Sequence, residues 1–261
     1  MIISTPVLRP AIALLLLACL LAGCGGTKML KEPQPIQTTR PLAAAADQRV
    51  SSTLDWVIVR DGPGTWARNA DWDEYLLRIS NQSGQPIQVT RLTVVDSLDT
   101  RIGSQPGRKQ LVKGSKKTAK RYKKSGMRVR AGRGAGVLMA GGAAVTVAGY
   151  GVAAASIGLG GVSTGAATAA GGLLLLGPAL AVGGVVRGVN NSKVNTQIEQ
   201  RQTELPLEIP ASEELGLDVF FPLAPSPKRV ELVYTDATGE HRLVIDTSTA
   251  LDGLHIDAPA D

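Results

Sequence analysis

Two patterns alternate along this chain. Between residues 54 and 98, LDWVIVR (54–60), DEYLLRIS (73–80) and IQVTRLTVVDSL (87–98) exchange apolar and polar side chains at nearly every step, and Tyr75, Leu77 and Ile79 share one face of the middle run. DGPG and NQSGQP separate the three. A period of two, rich in β-branched residues and punctuated by Gly, Pro and Asn, is the pattern of half-buried strands joined by turns. The pattern returns after residue 200. LPLEIP (205–210) is short and bounded by prolines, which predicts an edge strand. LGLDVFFPL puts Leu215, Leu217, Val219, Phe221 and Leu223 on one face, and KRVELVYT (228–235) and HRLVIDT (241–247) flank the turn DATGE.

Seven strands are therefore expected, three before an interruption and four after it. Neither group alone buries enough surface to be stable. The expected fold is mainly β: an antiparallel, immunoglobulin-like β-sandwich in size and strand count, interrupted by a basic segment and an apolar helical hairpin rich in Gly and Ala. The paired cysteines and core tryptophan of true immunoglobulin domains are not evident. Trp56, Trp66 and Trp72 are expected to fill the core or its rim.

The second pattern occupies the interruption. Residues 108–133 hold twelve Lys/Arg and no acid, and no Asp or Glu lies between Thr100 and Ile198. Residues 134–186 are 53 consecutive uncharged positions with 15 glycines. A spanning helix needs about 20 apolar residues, so this length suffices for two helices and a turn. The turn is expected at GLGGVSTG (158–165). Such a glycine content disfavours a helix in water, but in lipid the backbone must bond internally and helix is the favoured state. Gly132/Gly136, Gly161/Gly165 and Gly184/Gly188 fit GxxxG, which permits close helix contact and a route to a homo-oligomer. The tract resembles the glycine-zipper segments of some bacterial outer-membrane lipoproteins.

The first residues change the picture again. Arg9 precedes an apolar run, Ala11 to Leu21, followed by Leu21-Ala22-Gly23-Cys24. A run this short behind one cation is a secretory signal rather than a spanning helix. The four residues resemble the lipobox of bacterial lipoproteins. The resemblance implies cleavage between Gly23 and Cys24, a diacylglyceryl group on the Cys24 thiol and an acylated new amine. Gly25, which is not Asp, favours the outer membrane by the same resemblance. The expected location is the bacterial cell envelope, lipid-anchored and facing the periplasm. With Cys19 in the leader and Cys24 modified, no thiol remains for a disulfide.

Charge then needs dividing. The whole chain carries +6, but without the leader and the twelve cations of the tract it holds 15 basic and 22 acidic residues. The body is mildly acidic, and one segment makes the protein basic. That segment lies directly before the apolar stretch, so Lys116, Lys117, Lys120, Arg121, Lys123, Lys124, Arg128 and Arg130 are the expected contacts to anionic lipid. The positive-inside rule would place them in the cytoplasm; the lipobox, a positional signal, places the chain outside. Nucleic acid is not an expected partner, since Tyr122 is the tract's one aromatic and no stacking ladder exists.

No catalytic constellation emerges. His241 and His255 are the only histidines, both expected at the surface, and no zinc set, nucleophile elbow or cofactor is indicated. Gly149-Tyr150-Gly151-Val152-Ala153-Ala154 matches GxGxxA but follows no strand. Asp71, Asp73 and Glu74 in DWDE are expected to be a solvated strand start. The expected organisation is a signal peptide (1–23), a flexible tether (24–50), the first half of the sandwich (51–100), the basic segment (101–133), the glycine-rich membrane hairpin (134–186) and the second half of the sandwich (187–261). The leading expectation is a non-enzymatic envelope lipoprotein that engages membrane lipid and a protein partner. The alternative is a membrane-active oligomer, a pore or export component built from the hairpin.

Overall fold

In a computed structural model the chain is described over residues 27–32, 36, 40–136, 138 and 191–257. In chain order its elements are β1 (Lys28–Met29), β2 (Ala43–Ala46), β3 (Val50–Ile58), β4 (Ala67–Arg68), β5 (Trp72–Asn81), β6 (Ile87–Val95), β7 (Arg101–Gly103), α1 (Arg108–Lys124), β8 (Arg128–Val129), α2 (Asn191–Arg201), β9 (Leu207–Ile209), β10 (Glu214–Pro222), β11 (Arg229–Asp236), β12 (Gly239–Asp246) and β13 (Ile256–Asp257). The protein is mainly β, and its sheets are antiparallel. Each of the seven runs read from the sequence contains a strand.

Sheet 1 has the order β10-β5-β3-β2, and sheet 2 the order β12-β11-β6-β7, with β9 also paired to β6. Alternation explains how both sheets feed one core. Tyr75, Leu77 and Ile79 of β5 and Leu217, Val219 and Phe221 of β10 point from sheet 1 into the cluster that also holds Val89, Leu92, Val230, Leu232 and Ile245 of sheet 2. Bulges between Leu54 and Trp56 and between Val233 and Tyr234 shift the register and keep both sides of each bulge facing inward. At the β11–β12 turn Asp236 Oδ1 accepts the Thr238 N–H at 2.7 Å, and Gly239 adopts φ +130, which a side chain would resist. Leu223 falls beyond the end of β10 and outside this core, because the strand stops at Pro222.

One expectation is corrected. Residues 24–50 are not a tether throughout: β2 pairs with β3 at the edge of sheet 1, Ala43 opposite Leu54, and Leu42 is buried in the core at 1 % exposure. Within the basic segment, residues 108–124 form the longest described helix. Lys, Arg, Gln, Leu and Ala favour helix locally. Arg121, Lys123 and Lys124 complement the dipole in the last turn. The end is a Schellman motif: Gly126 at φ +78 donates its N–H to Lys123 O, and the Met127 N–H reaches Tyr122 O at 3.0 Å.

The two helices create a second core on the outer face of sheet 1. Trp72 on β5 and Phe220 on β10 point away from the main core and, with Trp66, meet Leu111 of α1 and Val194 and Ile198 of α2. The Trp66 ring lies 6.4 Å from both Trp72 and Phe220, edge-on to the latter. Gly114 lets α1 come this close, because a Cβ there would stand 2.5 Å from Cγ of Pro222.

Candidate functional site

The helix α1 has two unlike sides. Leu111, Ser115, Thr118 and Tyr122 are buried. Ser115 Oγ lies 2.5 Å from Asp71 O and accepts the Leu223 N–H at 2.9 Å, and the Tyr122 hydroxyl bonds Ser97 Oγ at 2.8 Å, so this side is fixed along its length. At 100° per residue, Lys109, Lys113, Lys116, Lys117, Lys120, Lys123 and Lys124 fall within an arc of about 120° on the opposite side. All seven are exposed. Among the described residues none of them forms an ion pair, and no carboxylate shares the arc. The arginines behave differently. Arg121 pairs with the fully buried Asp96, Arg133 reaches Asp257 at 3.3 Å, and Arg108 donates to Thr27 Oγ1 at 3.2 Å.

Of the expected lipid contacts, Lys116, Lys117, Lys120, Lys123 and Lys124 lie together in the arc, whereas Arg121 is committed to Asp96. Arg128 and Arg130 are exposed but lie past the helix, Arg128 within β8. Lys109 and Lys113 were missed. The spacing 109, 113, 116, 117, 120 and 124 was the available signal, visible only once a helix is assumed. Cys24, the cleavage site at Gly23, and the hairpin apart from residues 134–136 and 138 lie outside the described residues. Among the described residues no helix is long and apolar enough to cross a membrane.

Behind α1, buried charge locks the helices down. Arg201, the last residue of α2, donates to Glu74 Oε1 at 2.8 Å through Nε and lies 2.6 Å from it through Nη2. The other oxygen, Glu74 Oε2, accepts the Trp66 indole N–H at 2.7 Å, and the guanidinium sits 5.6 Å from a Trp66 ring centroid. Asp218, 4.0 Å from Arg201, is pushed up to about 7 by burial and by the Glu74 charge, with Arg201 opposing.

On the other face of β5, Asp73 Oδ2 lies 2.8 Å from His255 Nε2, and both residues are fully buried. His255 Nδ1 accepts the Gly132 N–H at 3.2 Å, which leaves the proton on Nε2, donated to Asp73. Burial and the Asp73 charge raise the Tyr75 hydroxyl well above the usual tyrosine range. Two expectations fail here: His255 is not a surface residue, and of DWDE only Asp71 is solvated while Asp73 and Glu74 are interior. The reason is long range, since their partners lie 182 and 127 residues away. Asp73 and Glu74 face opposite sides of one strand and converge on no common cleft. His241 pairs with Asp236 at 3.0 Å beside the β11–β12 turn and stacks on Tyr234. Among the described residues no cluster of three His, Cys, Asp or Glu is placed to hold a metal ion.

Comparison with known proteins adds no relative: no family model, no curated protein and no solved structure matches the chain.

Proposed function

We propose that the protein is a non-enzymatic, lipid-anchored protein of the bacterial cell envelope, at the outer membrane facing the periplasm, whose β domain is an interaction or structural module at the membrane surface and whose α1 lysine face contacts anionic lipid. The observation that carries this reading is the lysine arc. Seven ammonium groups share one side of a helix whose other side is immobilised, and the two arginines of the helix, Arg108 and Arg121, are spent on Thr27 and the buried Asp96. Near an anionic surface each lysine contributes about 1 kcal/mol, so the face provides affinity without a pocket. Tyr122, the aromatic a nucleic acid would stack on, is fully buried, which favours lipid over nucleic acid.

Strand order supports the finer fold. β3-β5-β10 in one sheet and β6-β11-β12 in the other, with the chain crossing between sheets from β5 to β6 and from β10 to β11, is the A-B-E and C-F-G order of an immunoglobulin-like sandwich. β2 adds a strand outside β3, and the helices with the glycine-rich segment replace the connection between the C-like and E-like strands. Glu74 with Arg201 and Asp73 with His255 form buried structural pairs, which supports a non-enzymatic role for these groups.

Intact-mass analysis of the protein from membranes tests the anchor. The expected result is an N-terminal Cys24 bearing lipid; a different N-terminus, or Cys24 without lipid mass, contradicts the reading. Dye-loaded vesicles carrying the purified protein should stay sealed. Rapid leakage would favour the pore-forming oligomer instead.

A further inference from the structure

The chain next to the anchor is docked rather than free. Thr27 is 5 % exposed; its hydroxyl donates to Asn69 O at 3.5 Å and accepts from Arg108, the first residue of α1, at 3.2 Å. Lys28 and Met29 then pair with Arg68 and Ala67, the Leu30 N–H bonds Trp66 O at 2.8 Å, and Met29 packs against the second core. The root of the N-terminal segment is thus fastened to the start of the lysine helix.

We propose that the protein lies flat on the leaflet that holds its acyl chains, with α1 parallel to the membrane and its lysine face seated on the phosphates of anionic phospholipid. This rests on the lipid anchor at Cys24. Only Gly25 and Gly26 separate Cys24 from Thr27, so three residue steps give a reach of at most about 11 Å when fully extended. A free tether of residues 25–50 would instead hold the domain roughly 28 Å away on average. Charges act over about 8 Å at physiological salt, so the long tether would leave the lysines screened and the short one brings them into range. The helix is about 25 Å long and carries lysine from its second residue to its last, so all seven engage together only when its axis lies along the surface. Lysine suits such a partner: a compact, mobile point charge binds scattered phosphates without the fixed two-pronged geometry of arginine.

Spin labels test the orientation. The full-length lipidated protein is reconstituted into vesicles of phosphatidylcholine alone or mixed with phosphatidylglycerol. A nitroxide is placed through Lys116→Cys, Lys120→Cys or Val244→Cys. Val244 is 44 % exposed on β12, at the opposite edge of sheet 2 from β7. Accessibility to a water-soluble nickel chelate is read by electron paramagnetic resonance. The labels at 116 and 120 should lose accessibility severalfold in the anionic vesicles relative to the neutral ones, while the label at 244 stays unchanged. Equal accessibility at 116 and 120 in both vesicles, or protection at 244 instead, overturns the flat orientation. Intact mass on the same samples separates the two failures. Lipid on Cys24 with exposed labels sinks only the docking, whereas absence of lipid removes the anchor and the docking with it.

Discussion

Arg201→Met is the sharpest perturbation of the helical layer. It removes both contacts to Glu74 Oε1, at 2.6 and 2.8 Å, and leaves a carboxylate that is 1 % exposed with only the Trp66 N–H as partner. Breaking one side of a buried pair costs about 3–5 kcal/mol, because the orphaned charge keeps its desolvation penalty. Against a total stability of about 5–15 kcal/mol, that is a large fraction. Glu74→Gln in the same chain removes the charge and keeps an oxygen for the indole N–H, so the double variant should be more stable than Arg201→Met alone. The assay is urea unfolding followed by circular dichroism, run as a double-mutant cycle with a coupling energy above about 2 kcal/mol expected. Refutation would be Arg201→Met within about 1 kcal/mol of the parent, or two effects that simply add. Either result would mean that α2 is held by Val194 and Ile198 alone.

Three further outcomes follow from the same layer. Gly114→Ala should destabilise the protein, although alanine favours an isolated helix by up to about 1 kcal/mol, because its methyl would meet Pro222; a raised melting temperature would contradict the close approach. Asp218, held near 7 by burial, binds its proton more tightly folded than unfolded, so its contribution is complete below the ordinary carboxylate range and is lost as the pH rises through about 7. Asp218→Asn should therefore raise the melting temperature more at about pH 8 than at about pH 5, on either side of that midpoint, and an equal shift at both would count against it. Finally, replacing residues 139–190 by a Gly/Ser linker in a chain lacking the leader and Cys24 should give a soluble protein with a cooperative melt. Replacing residues 101–200 should not, because it strips α1 and α2 from Trp66, Trp72 and Phe220; the reverse ranking would show that the second core is dispensable.

The strands were legible because their signal is local. In β5 and β10 the alternation of Tyr75, Leu77, Ile79 and of Leu217, Val219, Phe221 is the same pattern that fills the core. The helix α1 was not legible, because its docked side is built from Leu111, Ser115, Thr118 and Tyr122, with Gly114 against Pro222, and carries almost no apolar period. Its charge was obvious in the sequence, but the segregation of lysine from arginine appears only on the helix. The run Ala43–Ala46 has no strand signal of its own and becomes one by pairing with β3 at the sheet edge. Asp73 and Glu74 read as polar and exposed, because nothing near them in sequence announces His255 or Arg201.

The membrane-contact face is tested most directly by vesicle binding of the soluble, linker-replaced chain, which lacks both the acyl chains and the glycine-rich segment. Its partition into phosphatidylglycerol-containing vesicles is compared with that of a variant in which all seven α1 lysines are glutamine. Binding should need anionic lipid, weaken steeply with salt, and fall by about five orders of magnitude in the variant, the loss of seven contributions near 1 kcal/mol each at about 1.4 kcal/mol per tenfold. Equal binding to neutral vesicles, or a variant that binds as well as the parent, would contradict this role of the lysine face.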